Sequence, residues 1–343
     1  MPRLLRAVPL RRLPHVHAAL GYLRRRRVVG GSLTMVALRR ADAQTPWPRQ
    51  PVRLLVGFPP GGSADIPARA LAQAIGDTLG QPILVENRSG AGGAIAAEAV
   101  AHAAADGHML LMLSSGALLL PMLRRGLSFD PFVDFQPVAM VAEAPPVLCV
   151  PKALGVADVA SFVTLLRQSG ERIAYALSGP GTSSQLNFAL LMRATETKAT
   201  AVGYRGDPDM LQDLLVNRVQ ATFLSVQTAA AHIRDGALVG LGVAGANRSP
   251  VLPDVPSMAE AGLPTVAYVP WWGIAAPRGT PLTVRDRLAE AVRKVVASVE
   301  FRDRLGALGA QPLNLGPQEF AALVAAERER LAAVAAAAGL KPE

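Results

Sequence analysis

The sequence contains a single cysteine, Cys149, inside the apolar run VLCVP. One thiol cannot form an internal disulfide, so a disulfide-stapled fold is excluded and the redox compartment is left open. With no histidine arranged beside it, Cys149 reads as a buried strand residue rather than a nucleophile. Histidine is nearly as scarce. Beyond residue 43 only His102, His108 and His232 occur, without H-E-x-x-H, C-x-x-C or H-x-x-x-H spacing, so no metal site is expected. A G-x-S-x-G nucleophile elbow is also missing, which argues against an α/β-hydrolase.

Charge of one sign is missing from the body of the chain. The formal net charge is +9, yet ten of the 35 basic residues and only one of the 26 acidic residues lie in 1–43, which leaves 25 of each. A basic stripe for nucleic acid is therefore not expected. Long apolar runs are missing too. RRRR (Arg24–Arg27) precedes VVGGSLTMVAL, and these eleven residues are too few to span a bilayer. ADA (Ala41–Ala43) offers an A-x-A cleavage pattern before Gln44. The leader predicts an exported chain cut near Ala43, by the general secretory or the twin-arginine route. Its length, and Arg39-Arg40 between apolar run and cleavage site, fit a start codon upstream of the true one. A basic tail that is no signal is the other reading.

What is present is alternation. Strand-like PVRLLVGF (51–58), PILVEN (82–87), MLLMLSS (109–115), PPVLCVP (145–151), RIAYALS (172–178), LVGLGVAG (238–245) and VPWWGIAAP (269–277) are interleaved with helical patterns. The spacing predicts an α/β fold of two lobes, each built as strand, glycine loop and helix, with a cleft between them. ALLLPMLRRG, after the third strand, is expected as buried strand and loop, because Ser114, Ser115, Gly116 and Pro121 interrupt it. A later helix is expected to start with Thr280 as N-cap and Pro281 as its first residue. Trp271 and Trp272 are adjacent in a strand and should face opposite sides, with core packing favoured over an aromatic lid.

The loop GFPPGGSAD (Gly57–Asp65) joins the first strand to a helix, which is where anions bind. Gly57 and Gly62 have P-loop spacing, but Ser63 stands where the lysine must be and Ala64 where the Mg²⁺-binding hydroxyl must be. This loop carries no G-x-G-x-x-G fingerprint either. It suits a small anion such as a carboxylate, held by N–H groups of Gly61 to Asp65. A structural turn capped by Asp65 is the alternative.

The stretch WPRQPVRLLVGFPPGGSADIPARALAQAIGDTLGQPILVENRSGAGG resembles the start of the Bug family, the TctC-like periplasmic receptors of tripartite tricarboxylate transporters. LSFDPFVDFQPVAMV, YALSGPGTSSQL, NRSPVLPDVPSMAEAGLP and WWGIAAPRGTP continue the likeness, from Trp47 to Glu343. The resemblance implies a two-lobed, type II periplasmic-binding-protein fold with a two-crossing hinge. Lobe I would take 45–147 and 254–343, and lobe II 148–253. A small carboxylic acid would lie between the lobes, held mainly by backbone amides. Carried over by motif, its first-lobe contacts would be Phe58, Gly61, Gly62, Ser63, Ala64 and Asp65, with Ser114, Ser115 and Gly116. The second-lobe contacts would be Gly181, Thr182, Ser183 and Ser184, then Tyr204, Gly206, Asp207 and Ser225. Gln185 stands where His is common in the family, and Asp207 where a small residue is common.

The resulting expectation is a monomeric, periplasmic solute-binding protein without cofactor or catalysis. Membrane permease subunits would be its partners. A ligand-sensing subunit is one alternative. A hydrolase or transferase working through Ser63 or Ser183 is the other, although neither serine has a visible histidine partner.

Overall fold

The computed structural model describes residues 47–340, so the leader expected at 1–43 lies outside them. The first run of elements is β1 (Val52–Val56), α1 (Asp65–Leu79), β2 (Ile83–Asn87), α2 (Ala94–Ala101), β3 (Met109–Ser114), α3 (Ser115–Leu123) and β4 (Phe135–Glu143). The second is β5 (Pro146–Pro151), α4 (Val159–Ser169), β6 (Ala174–Leu177), α5 (Ser183–Thr195), β7 (Thr200–Gly203), α6 (Asp207–Leu215), β8 (Ala221–Ser225), α7 (Val226–Arg234) and β9 (Leu238–Val243). The chain ends with β10 (Trp271–Pro277), α8 (Leu282–Ala297), α9 (Val299–Gly306), β11 (Gln311–Pro312) and α10 (Pro317–Ala337).

The strands form two sheets, ordered β11-β4-β10-β3-β1-β2 and β7-β6-β8-β5-β9. Each contains a parallel trio, β2-β1-β3 or β7-β6-β8, extended by an antiparallel strand, β10 or β5. This is the two-lobed α/β architecture that the alternation predicts. The chain passes between the sheets twice, through Ala144-Pro145 after β4 and through 244–270 before β10.

Parallel strands covered on both faces need near-continuous apolar sequence. In β1, Val52, Leu54, Leu55 and Val56 are buried, and only Arg53 reaches outward, to Glu86 of β2. Leu54 and Val56 face the core under α1 and α8, whereas Leu55 joins the core on the other face. The outer face of the second sheet is covered by α6 and α7 through Met210, Leu214, Val226 and Ala229. The largest apolar cluster runs without a break from the first sheet to the second through Leu118, Phe188, Phe223, Tyr268 and Trp271.

Two local expectations meet the structure differently. Residues 115–123 are a helix, not strand and loop. The Ser114 hydroxyl caps it by accepting the Ala117 N–H at 3.3 Å, and all but Pro121 and Met122 are buried, so no polar stripe marks the helical period. At α8, Thr280 does not cap the helix: its hydroxyl donates to the Pro277 carbonyl at 2.8 Å, and Pro281 takes the cap position. A G-x-G-x-x-G spacing does exist at Gly240, Gly242 and Gly245, but it lies in and just beyond β9, not between a strand and a helix. The two tryptophans divide as alternation requires: Trp271 packs edge-on against Phe320, and Trp272 belongs to the core under α1 and α8. Among the described residues no helix is long and apolar enough to cross a membrane.

Candidate functional site

Loops from the carboxyl ends of β1, β3, β6 and β7 meet at one cavity between the sheets, as ligand sites in parallel α/β folds do. Phe58, Gly62 and Ser63 line it from the β1–α1 loop, with Ser114 and Gly116 from the start of α3. Across from them stand Ser178, Gly181, Thr182 and Ser183 of the β6–α5 loop, and Asp207 at the first residue of α6. Tyr268 and Pro270 of the second crossing, with Trp272 of β10, form the remaining wall. The cavity is narrow, with a volume of about 30 Å³. The cavity is a slot between lobes that already touch.

The touching surfaces are backbone. A β-carbon added to Gly116 would come within 2.9 Å of the Gly181 carbonyl oxygen, and one on Gly206 within 2.5 Å of Pro59 Cδ. One on Gly179 would meet the Gly92 nitrogen at 2.9 Å. Glycine lets the two halves approach this closely.

Both glycine loops are closed by a side chain four residues further on. Gly61 N–H donates to Asp65 Oδ2 at 2.9 Å, and Gly181 N–H donates to Gln185 Oε1 at 2.9 Å. Asp65 also accepts from Arg69 and Asn87 and is buried at 2 % exposure, so it braces the loop and does not line the slot. Gly62 N–H is used on Pro59 O. What remains are the N–H groups of Ser63 and Ala64 before α1, and of Thr182, Ser183 and Ser184 at the start of α5, none of which donates to a described acceptor. They sit at the positive ends of two helices.

Several of the residues named from sequence stand behind the slot. Ser115 accepts from Tyr268 OH at 2.8 Å and from Trp271 N–H at 3.2 Å, which ties α3 to the second crossing. The Ser184 hydroxyl is bonded to Ser178 and Thr182 within its own loop. Tyr204 is half-buried, and its hydroxyl donates to Asp213 Oδ2 at 2.8 Å; burial, then that bond, push its pKa up to about 12. Gly206 lies against Pro59. Ser225 presents its N–H to Asp207 Oδ2 at 3.2 Å. The sequence did not mark Ser178, Tyr268 or Pro270 for the slot, and for Trp272 it favoured core packing over a lid across a ligand. Ser178 lies inside the quoted loop motif SGPGTSSQ; no local pattern marks the others.

The slot is lined by no lysine, arginine or histidine, and Asp207 is its one carboxylate. Asp207 is 9 % exposed, and no salt bridge among the described residues includes it. Burial raises its pKa, against the lowering effect of the Ser225 and Thr228 hydrogen bonds. Burial, with the Asp207 charge nearby, also raises the Cys149 thiol, which leaves it protonated and unreactive. Neither Ser63 nor Ser183 makes a hydroxyl hydrogen bond to a base among the described residues. No group of three or more His, Cys, Asp or Glu among them could hold a metal ion.

A raised folded-state pKa means that ionised Asp207 costs stability. That cost is absent below the unfolded carboxylate value of about 3.9, grows as pH rises through the folded value, and is full above it. Asp207→Asn, which keeps an acceptor for Ser225, should therefore raise the melting temperature by a few degrees at pH 7. The gain should shrink as pH falls toward 4. Scanning calorimetry at both pH values checks this; an equal gain at both would remove buried charge as its cause.

Two α/β lobes with a slot at the helix N-termini define a periplasmic-binding-protein fold. The chain belongs to the tripartite tricarboxylate transporter receptor family, whose model matches residues 67–340. Protein BugT of Bordetella pertussis is 32 % identical over 320 residues, which cover 92 % of this chain and 97 % of BugT. The periplasmic binding protein BugD superposes with a TM-score of 0.83 at 29 % identity, covering 87 % of this chain and 100 % of BugD. Rpa4515 of R. palustris, solved with adipate, gives a TM-score of 0.84 at 34 % identity, again with 87 % and 100 % coverage. The family is one of solute-binding receptors, not enzymes.

Proposed function

We propose that this chain is an extracytoplasmic receptor that captures a small organic acid between its lobes and closes on it for delivery to the permease subunits of a tripartite tricarboxylate-type transporter. The observation that carries the reading is the unpaired N–H groups at two helix N-termini, Ser63 on one side and Thr182 and Ser183 on the other, lining one slot. Each hydrogen bond from such a group to a carboxylate is worth roughly 1.5–3 kcal/mol, and each helix terminus about 0.3–1 kcal/mol more. That is enough to hold a carboxylate without a cationic side chain. The adipate complex of Rpa4515 supports an acid ligand. In this reading lobe I is 45–147 with 254–343, lobe II is 148–253, the two crossings are the hinge, and the mature protein acts as a monomer in the periplasm after the leader is removed near Ala43.

The test is a thermal-shift screen of residues 44–343 against mono-, di- and tricarboxylates, aromatic acids and amino acids. A true ligand at about a hundred times its Kd should add roughly 2.7 kcal/mol, a rise of several degrees. Solution scattering with that ligand should show compaction. Silence across every acid class would count against the reading.

A further inference from the structure

The slot holds one carboxylate among its described lining residues. Asp207 lies at the start of α6 and reaches the start of α7, where its Oδ2 takes the Ser225 N–H at 3.2 Å and the Thr228 hydroxyl at 3.5 Å. Those bonds fix the carboxylate and use the positive ends of two helices on the protein's own anion. The Ser225 hydroxyl adds to these bonds, and the side chain lines the cavity. The nearest basic residue in sequence, Arg205, is engaged with Asp209. The slot thus presents two kinds of chemistry. Ser63, Thr182 and Ser183 line it with N–H donors for an anion, and Asp207 lines it with a carboxyl group that has no cation beside it.

A second ligand carboxylate facing Asp207 would set two like charges together in a desolvated site, with no cation to offset them. A hydroxyl or an ammonium facing it would make a charge-assisted hydrogen bond. We propose that Asp207 is a specificity-determining residue that selects a small carboxylic acid carrying a proton-donating group, an ammonium or a hydroxyl, over the unsubstituted dicarboxylate of the same length. The proposal rests on the receptor reading above. It separates this chain from Rpa4515, whose structure holds the dicarboxylate adipate.

The experiment is calorimetric titration of residues 44–343 with matched probes: ω-amino acids, ω-hydroxy acids and α,ω-diacids of four, five and six carbons. The wild type should bind an amino or hydroxy acid at least about tenfold more tightly than the diacid of equal length, one unit of log K in free-energy terms. The two donor series tell ammonium from hydroxyl recognition. Asp207→Asn and Asp207→Ser, each checked for a single cooperative unfolding transition at or above the wild-type temperature, should bring that preference to within about threefold, chiefly by weakening the donor ligand and strengthening the diacid. Wild-type preference for the diacid would overturn the proposal while leaving the receptor reading intact. The same holds for a donor preference that survives in both variants. If no acid of any series binds the wild type, the proposal falls, and the wider acid screen alone decides whether the receptor reading falls with it.

Discussion

Gly116→Ala is expected to leave the fold as firm as before, or firmer, and to weaken ligand binding by about 5- to 150-fold. The two effects have different causes. Gly116 is the second residue of α3 and is buried. Its backbone is helical and not left-handed, so alanine fits there and favours the helix by roughly 1 kcal/mol. The new methyl group, however, would stand 2.9 Å from the Gly181 carbonyl oxygen of the opposing loop. That neighbour is backbone held at both sides, by Gln185 on its N–H and by the start of α5 behind it, so it cannot turn aside. The lobes must stop short. Overpacking of this kind costs about 1–3 kcal/mol, here charged only to the closed form. An equal loss of closed population enters the apparent Kd directly, which gives the stated range. Titration of the strongest ligand from the acid screen, with scattering to measure compaction, checks both halves. Full affinity with full compaction would mean that the lobes never approach as closely as Gly116 and Gly181 do here. Gly181→Ala is the poorer probe, because its φ of 75° adds backbone strain to the clash.

The glycine loops are legible in the sequence for the same physical reason that they work. A strand run, a glycine cluster and a helical period occur in direct succession at 52–79 and at 174–195, so both loops can be placed by inspection. Which groups in them are free to act cannot. Asp65 and Gln185 each consume one glycine N–H of their loop, and that depends on a side chain folding back four residues. Ser115 and Ser184 look like Ser63 and Ser183 on paper; they differ only in the direction each points from its helix start. The third wall of the slot was hidden for another reason. Tyr268 and Pro270 come from the crossing 244–270, which has neither helical nor strand period, and they are brought in from far along the chain. The helix at 115–123 illustrates a limit of periodicity itself, since a segment buried on almost every side carries no stripe to read.

The same crossing sets the largest expected loss of stability. Asn187 of α5 is fully buried, and its amide grips the crossing at one residue from both sides. Nδ2 donates to the Tyr268 carbonyl at 2.9 Å, and Oδ1 accepts the Tyr268 N–H at 3.0 Å. Beyond that point Tyr268 donates its hydroxyl to Ser115 of α3. One residue of the crossing is therefore fastened to α5 of the second run of elements by its backbone and to α3 of the first by its side chain. Asn187→Ala strands a buried N–H and a buried C=O together. Each unsatisfied group costs about 1–3 kcal/mol, so the variant should lose roughly 2–5 kcal/mol. Asn187→Asp should fare little better: it restores the acceptor for the N–H but sets a carboxylate oxygen against the Tyr268 carbonyl. Denaturant unfolding followed by tryptophan emission measures both. A loss below about 0.5 kcal/mol in Asn187→Ala would show that water enters and replaces the amide. Because Tyr268 also lines the slot, the same variant should weaken ligand binding even where the fold survives. Ser115→Ala leaves the Tyr268 backbone paired but strands the Tyr268 hydroxyl and the Trp271 N–H together, so its cost should be of the same order as that of Asn187→Ala. Each variant leaves two buried polar groups of the crossing and its neighbouring strand without a partner, and neither pair has a path to solvent in the closed core.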